Sequence, residues 1–388
     1  MSTPSLTRIF KEFFASERTG GLLLMISTAI SLVIANSGAG DDYIHFWHAH
    51  LDLSFAGLSL DYPAEVWIND GLMAVFFLLV GLEIERELYI GELAEPRQAL
   101  LPILAAAGGM LVPAAIHYLF NHGLVTQAGF GIPMATDIAF TLGVLALLGD
   151  RIPASVKIFL TALAIIDDLG AILVIAAVYT RSISVLYLAI SLGIFGLLLI
   201  LNRLNVKRLV FYLLPGIVMW YCMLRSGIHP TISGVLLAFA IPFRRAVIGH
   251  PSERLQHGLH KPVAFFILPL FALANTGIRL SPGWARSLLS ENSLGVLTGL
   301  VLGKPIGVVL FSLLAIRMGW SSLPADMNRR HVLGLGLLAG IGFTMSIFIS
   351  NLAFDNPVFV LEGKMAILVA SVFASLLGYF FLRKRPAS

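Results

Sequence analysis

The chain has 388 residues, 57% of them hydrophobic and 12% charged, with Lys and Arg exceeding Asp and Glu by four, and a mean hydropathy of +0.88. That composition excludes a soluble globular domain and a disordered chain. A single cysteine, Cys222, excludes an internal disulfide and a cysteine-rich metal cluster, and the small basic excess does not describe a nucleic-acid surface. The length accommodates about a dozen spans of roughly 20 residues. The alternating segments of about ten residues that a β-barrel needs are not seen. The chain reads as an all-α polytopic membrane protein, one integral membrane domain over residues 1–388 that needs no cofactor.

Residues 1–18 carry Arg8, Lys11 and Arg18 with Ile9, Phe10, Phe13 and Phe14 between them, the pattern of a short amphipathic helix on a membrane surface. The apolar run 20–35 has no clear small-residue cleavage site after it and is read as an uncleaved first span. Residues 36–62 contain no Lys or Arg. Within them Leu51, Leu53 and Phe55, then Leu58, Leu60 and Tyr62, alternate around Ala56-Gly57, which predicts a β-hairpin. His45, His48 and His50 just before it suit a solvated segment better than a metal site. Further spans are expected near 66–89, 99–120, 130–149, 154–179, 183–202, 207–223, 226–242, 258–278, 294–316, 331–354 and 363–382, twelve in all. Twelve spans place both termini on one side. The loops on that side hold 20 basic residues; the opposite loops hold Arg181, Arg225, Arg279, Arg286 and Lys364. Cytoplasmic loops carry the excess, so both termini are expected inside and the 36–62 loop outside, in the periplasm.

Asp167 and Asp168 fall near the middle of the 154–179 span. A carboxylate at mid-membrane costs about 3 kcal/mol or more, and intramembrane acids are functional by default. Asp137 is a third central acid. It follows Gly129, Gly131, Pro133 and Thr136, poor company for a helix, so that span is expected to break near 135–137. Gly334, Gly336, Gly340 and Gly342 predict a second break in the corresponding span of the other half. Paired interruptions point to a transporter's binding site, because freed main-chain groups are tolerated only where they line a cavity or bind something. Lys304, in Gly303-Lys304-Pro305, is the one basic residue placed at mid-membrane. It must pair with a central acid or give up its charge. Asp137 would offset the positive helix ends where the breaks meet, and Lys304 the negative ones.

Glu83, Glu85, Arg86 and Glu87 end one span at an inner edge, and Glu253, Arg254, His257 and His260 precede another. Acids and histidines gathered there could titrate near neutral pH. His229 lies near an outer span end, where it reads as an interfacial histidine or a proton-handling group. Carboxylates, freed carbonyls and the Thr136 hydroxyl suit a small hard cation. Burial favours the neutral carboxyl, and the cation binds only the ionised form, so proton and cation compete for one site. Alternating access to such a site is antiport. An intramembrane aspartyl protease would also use two aspartates, but on separate spans and with a Gly-x-Gly-Asp pattern that none of the expected spans contains. A cation–solute symporter would need a larger polar pocket.

The chain resembles the NhaA-type sodium/proton antiporter family along nearly its whole length. The likeness rests on Trp67-Ile68-Asn69-Asp70, 74–83 (AVFFLLVGLE), 135–140 (ATDIAF), 162–170 (ALAIIDDLG), Gly303-Lys304-Pro305 and 340–349 (GIGFTMSIFI). It implies about twelve transmembrane helices in inverted repeats, with two of them interrupted at mid-membrane. It implies cation and proton binding at Asp167 and Asp168, with Thr136 and Asp137 at the interrupted helix and Lys304 compensating the acids. It implies exchange of cytoplasmic sodium or lithium for external protons across a bacterial inner membrane, electrogenic, activated at alkaline pH, and serving intracellular pH and sodium homeostasis. The residues matching Glu83, Arg86, Glu87, His229, His257 and His260 are linked to pH response or transport. Homodimers are expected through the hairpin near 45–62. The chain departs from the family pattern at the inner rim: Glu85 and Glu253 stand where basic residues are usual, and Gln256 where a glutamate is.

Overall fold

A computed structural model describes residues 6–54, 59–149, 152–180, 183–243, 249–280 and 283–384, with only the backbone described for 6–18, 92 and 96–98. The 1–18 amphipathic segment and the 55–58 turn of the expected hairpin therefore lie wholly or partly outside the described side chains. Apart from two three-residue strands, the regular secondary structure of the described residues is helical. Among the described residues, seven helices are long and apolar enough to cross a membrane: Ala64–Ile90, Ala99–Asn121, Ala154–Val178, Val185–Arg203, Pro251–Asn275, Glu291–Arg317 and Pro357–Arg383. Three bent pairs raise the number to ten if each pair is one span. The chain is a multi-pass membrane protein.

One expected span falls short. Val210–Ser226 has 17 residues, as many as the expected 207–223, but the 226–242 segment yields only the nine-residue helix Ile232–Ala240. Nine residues rise about 14 Å, half a hydrocarbon core. The helix is short because Gly227 turns the chain left-handed at φ 85° and Ile241, ahead of Pro242, is extended. A helix also occupies Gly40–His48, inside the stretch read as loop and hairpin. It follows Thr19–Ala35 after a 116° bend. Behind it, His50–Asp52 pairs antiparallel with Asp61–Pro63, with Leu51 opposite Tyr62.

The chain divides into two compact units. The first comprises residues 1–26, 92–171 and 280–388, the second 27–91 and 172–279. In the first, Pro96–Asn121 and Glu291–Arg317 cross where Gly108 meets Gly307; a Cβ on either would collide with the other's main-chain carbonyl. In the second, Leu78, Leu82, Leu198, Tyr212, Met219 and Leu237 form a buried cluster. Gly234 lets Ile232–Ala240 approach the Ala74 backbone. Val185–Arg203 is only 11% buried over its apolar window. Its Val185, Leu186 and Leu197 are exposed, as suits a surface whose solvent is lipid.

Candidate functional site

The first broken pair is Val125–Met134 and Ile138–Ala146, bent by 42°. Pro133 brings no N–H, and the chain is extended at Ala135 and Asp137. The second is Arg329–Ala339 and Phe343–Ala353, bent by 46° across Gly340 and Gly342. The two breaks touch. The Asp137 amide donates to the Ile341 carbonyl at 2.7 Å. Asp137 Oδ1 accepts from the Phe140 amide at 2.8 Å, capping the second half of its own pair. Its Oδ2 accepts from the Thr344 amide at 2.9 Å and the Thr344 hydroxyl at 2.5 Å, at the start of the other pair's second half. One buried carboxylate therefore serves two helix N-termini. Each end is worth about half a positive charge, so together they offset about one negative charge.

Thr136 Oγ1 lies 2.7 Å from Asp167 Oδ2 and 3.0 Å from the Ala339 carbonyl. Its one hydrogen serves one of these acceptors at a time. Lys304 Nζ donates to Asp167 Oδ2 at 2.5 Å and to the Met134 carbonyl at 2.5 Å. That carbonyl is freed by the first break, so the ammonium answers both an acid and a helix C-terminal end. Lys304 starts the straight part of Glu291–Arg317, just after the wide turn Gly299–Gly303. Asp137, Asp167, Asp168 and Lys304 are at most 1% exposed. Among the described residues Asp167 Oδ1 has no hydrogen-bond partner. Asp168, next on the helix, acts on the Lys304 charge. Asp167 and Asp168 thus set two carboxyl groups against one ammonium, a balance that one added cation or proton improves.

The structure brings Thr136, Asp137, Asp167, Asp168 and Lys304 together in the first unit. Thr344 completes the site and carried no assigned role in the sequence; its signal was a hydroxyl two residues past Gly342, echoing Thr136 beside its own break. The main-chain carbonyls of Met134, Ala339 and Ile341 leave no mark in a sequence at all.

The residues that the resemblance links to pH response lie in the second unit. Arg86 pairs with Glu87 at 3.0 Å, and its charge acts on Glu83 and on His260. His257 acts on His260 as well. His229 keeps different company: its Nε2 is 3.3 Å from Asp70 Oδ1 and its Nδ1 2.7 Å from Thr231 Oγ1. Of the unusual rim residues, buried Glu85 accepts from Ser252 at 3.1 Å and Glu253 accepts from the Gly249 amide at 2.7 Å. His48 and His50 pair with Glu65 and Asp61 at 3.0 and 2.9 Å. No metal-holding cluster of His, Cys, Asp and Glu occurs among the described residues.

The family model described as Na+/H+ antiporter 1 matches residues 11–382. The chain is 59% identical to the Na(+)/H(+) antiporter NhaA of Dechloromonas aromatica, over 97% of this chain and 96% of the relative. It is 56% identical to that of Flavobacterium psychrophilum, over 97% and 96%, and 47% identical to that of Cronobacter sakazakii, over 96% and 97%. With its paired breaks, three central acids and one buried lysine, the chain belongs to the Na+/H+ antiporter 1 family.

Proposed function

We propose that this chain exchanges sodium, and lithium, for protons across a bacterial inner membrane, with Asp167 and Asp168 as the shared binding groups. The observation that carries the reading is the Asp167 carboxylate. One oxygen holds Lys304 and Thr136, while the other accepts no hydrogen bond from the described residues, fully buried where two broken helices meet. A cation can take that oxygen only when the carboxyl is ionised, and a proton can take its place. With two carboxyls emptied by one cation, more protons than cations move per cycle and the exchange is electrogenic. Asp137 and Thr136 hold the crossing in shape, and Lys304 balances the acids when neither substrate is bound.

The same reading carries twelve membrane helices in inverted repeats, both termini cytoplasmic, and homodimers through the hairpin region near 45–62. Activation at alkaline pH falls to Glu83, Arg86, Glu87, His257 and His260, with His229 at the other edge. The charges of Glu85 and Glu253, and the neutral amide at Gln256, set where on the pH scale that activation lies.

Everted membrane vesicles with an acid interior test the exchange. Sodium should collapse the pH gradient, and Asp168→Asn should abolish the collapse. No response to sodium or lithium at any pH, from protein shown to be folded and inserted, would reject antiport.

A further inference from the structure

Three helix ends of the first unit meet around a buried imidazole. His117 and Asn121 lie one turn apart at the end of Pro96–Asn121, and Asn292 lies in the first turn of Glu291–Arg317. His117 and Asn121 are 0% exposed and Asn292 is 1% exposed. None of them belongs to the cation site.

Their hydrogen bonds fix which atoms donate. Asn292 Nδ2 donates to the Phe359 carbonyl at 3.1 Å, so its Oδ1 faces the ring as an acceptor. His117 Nε2, 3.4 Å from that oxygen, must carry the hydrogen. In a neutral ring Nδ1 is then an acceptor. Asn121 Nδ2 donates to the His117 carbonyl at 2.9 Å and the Glu291 carbonyl at 3.0 Å, which leaves its Oδ1 to accept. No donor among the described residues reaches His117 Nδ1 or Asn121 Oδ1. The ring cannot turn to find one: a Cβ on Gly129 would come 3.1 Å from its Cε1, and a Cβ on Gly295 2.9 Å from its Cδ2, so the chain closes on both carbon edges. Nor does ionising help, because His117 has no carboxylate in ion-pair reach among the described residues, and an unpaired buried charge costs more than an unpaired acceptor.

We propose that His117 Nδ1 and Asn121 Oδ1 together bind one buried water molecule. Residues four apart share a helix face, so both acceptors can meet the same guest. Water matches in count: two hydrogens for two acceptors, within the two to four polar partners that buried waters keep. A hard cation matches poorly, since it takes several oxygen ligands and meets one side-chain oxygen and one nitrogen. The water completes a polar knot between Pro96–Asn121, Glu291–Arg317 and Pro357–Arg383. The middle helix of the three carries Lys304 about 18 Å further along, so the knot fixes the axial height of the lysine's helix. The proposal stands on this geometry and not on the exchange reaction.

Solid-state NMR of the full chain in bilayers, with nitrogen-15 in its ten histidines and polarisation transferred from water, tests it. The His117 signal is identified by its loss in His117→Phe or, should that variant not insert, in His117→Gln. The expected spectrum shows an unprotonated, hydrogen-bonded Nδ1 that receives polarisation from water. Asn121→Leu should remove most of that transfer and leave the Nε2–H tautomer in place. A hydrogen on Nδ1, or an unprotonated Nδ1 that water does not reach, overturns the proposal. So does a His117 signal that moves on titrating sodium, which would make this a cation site. A density map resolving ordered waters decides independently: a peak within hydrogen-bond distance of both atoms is required.

Discussion

Replacing Asp137 tests whether one carboxylate holds both breaks. Asp137→Ala removes three hydrogen bonds, one to Phe140 and two to Thr344. Each uncapped helix end costs about 1 kcal/mol, and the Thr344 hydroxyl left buried without its acceptor costs about 1 kcal/mol more, so the loss is about 3 kcal/mol. Asp137→Asn has nearly the same shape but keeps a single acceptor oxygen. It can serve the Phe140 amide or the Thr344 amide but not both, and its NH2 faces a donor at the other. About half the loss should remain. Thermal unfolding of purified protein, followed by the fluorescence of its five tryptophans, should rank wild type above Asp137→Asn and Asp137→Ala lowest. Equal midpoints for all three, or an alanine variant as stable as the asparagine one, would refute the double cap.

Lys304→Met leaves Asp167 buried without its ammonium and should cost about 3–5 kcal/mol while that carboxyl is ionised; the deficit, read as a midpoint difference from wild type, should shrink as pH falls and Asp167 takes up a proton. Gly307→Ala drives a methyl into the Gly108 carbonyl and should cost about 1–3 kcal/mol, whereas Gly193→Ala, with nothing within 4 Å, should be neutral or gain up to about 1 kcal/mol. His250 caps the start of Pro251–Pro262 by accepting from the Glu253 amide. Burial holds its imidazole below the ordinary value of 6.5, against a smaller opposing pull from Glu253. The unfolded chain then binds the proton more tightly, so the cap's contribution is present above pH 6.5 and is lost as pH falls below it. Amide protection at Ser252, Glu253 and Arg254, taken relative to the intrinsic exchange rate at each pH, should fall on acidification, and His250→Ser, which keeps an acceptor but cannot titrate, should flatten that dependence.

The chemistry of the site was more legible than its frame. Charges are so costly in hydrocarbon that Asp137, Asp167, Asp168 and Lys304 announced themselves by position alone, and Pro133 and the glycines near 340 marked where the helices fail. Thr344 stayed silent because hydroxyls are common in membrane helices and its bond to Asp137 spans 207 residues of sequence. The count of spans was harder. Hydropathy runs straight through Gly227 and Ile241-Pro242, where the backbone leaves the helix, so the sequence hides that the helix between them has only nine residues. The Gly40–His48 helix was hidden because its histidines and acids look like loop composition. The inner-rim residues were visible as a cluster, but which of them touch depends on packing that no spacing rule reports.

The bond from the Asp137 amide to the Ile341 carbonyl adds a mechanical consequence to the electrostatic one. Together with the Asp137 carboxylate on Thr344, it rivets the two interrupted segments at their weakest points, where each chain has lost its own helical bonds. Sliding one past the other would strip several buried polar groups at once. The crossing therefore has few soft degrees of freedom, and an exchange cycle that opens it first to one side and then to the other should carry both broken pairs as a single stiff piece, leaving the bending to be done by the connections around it.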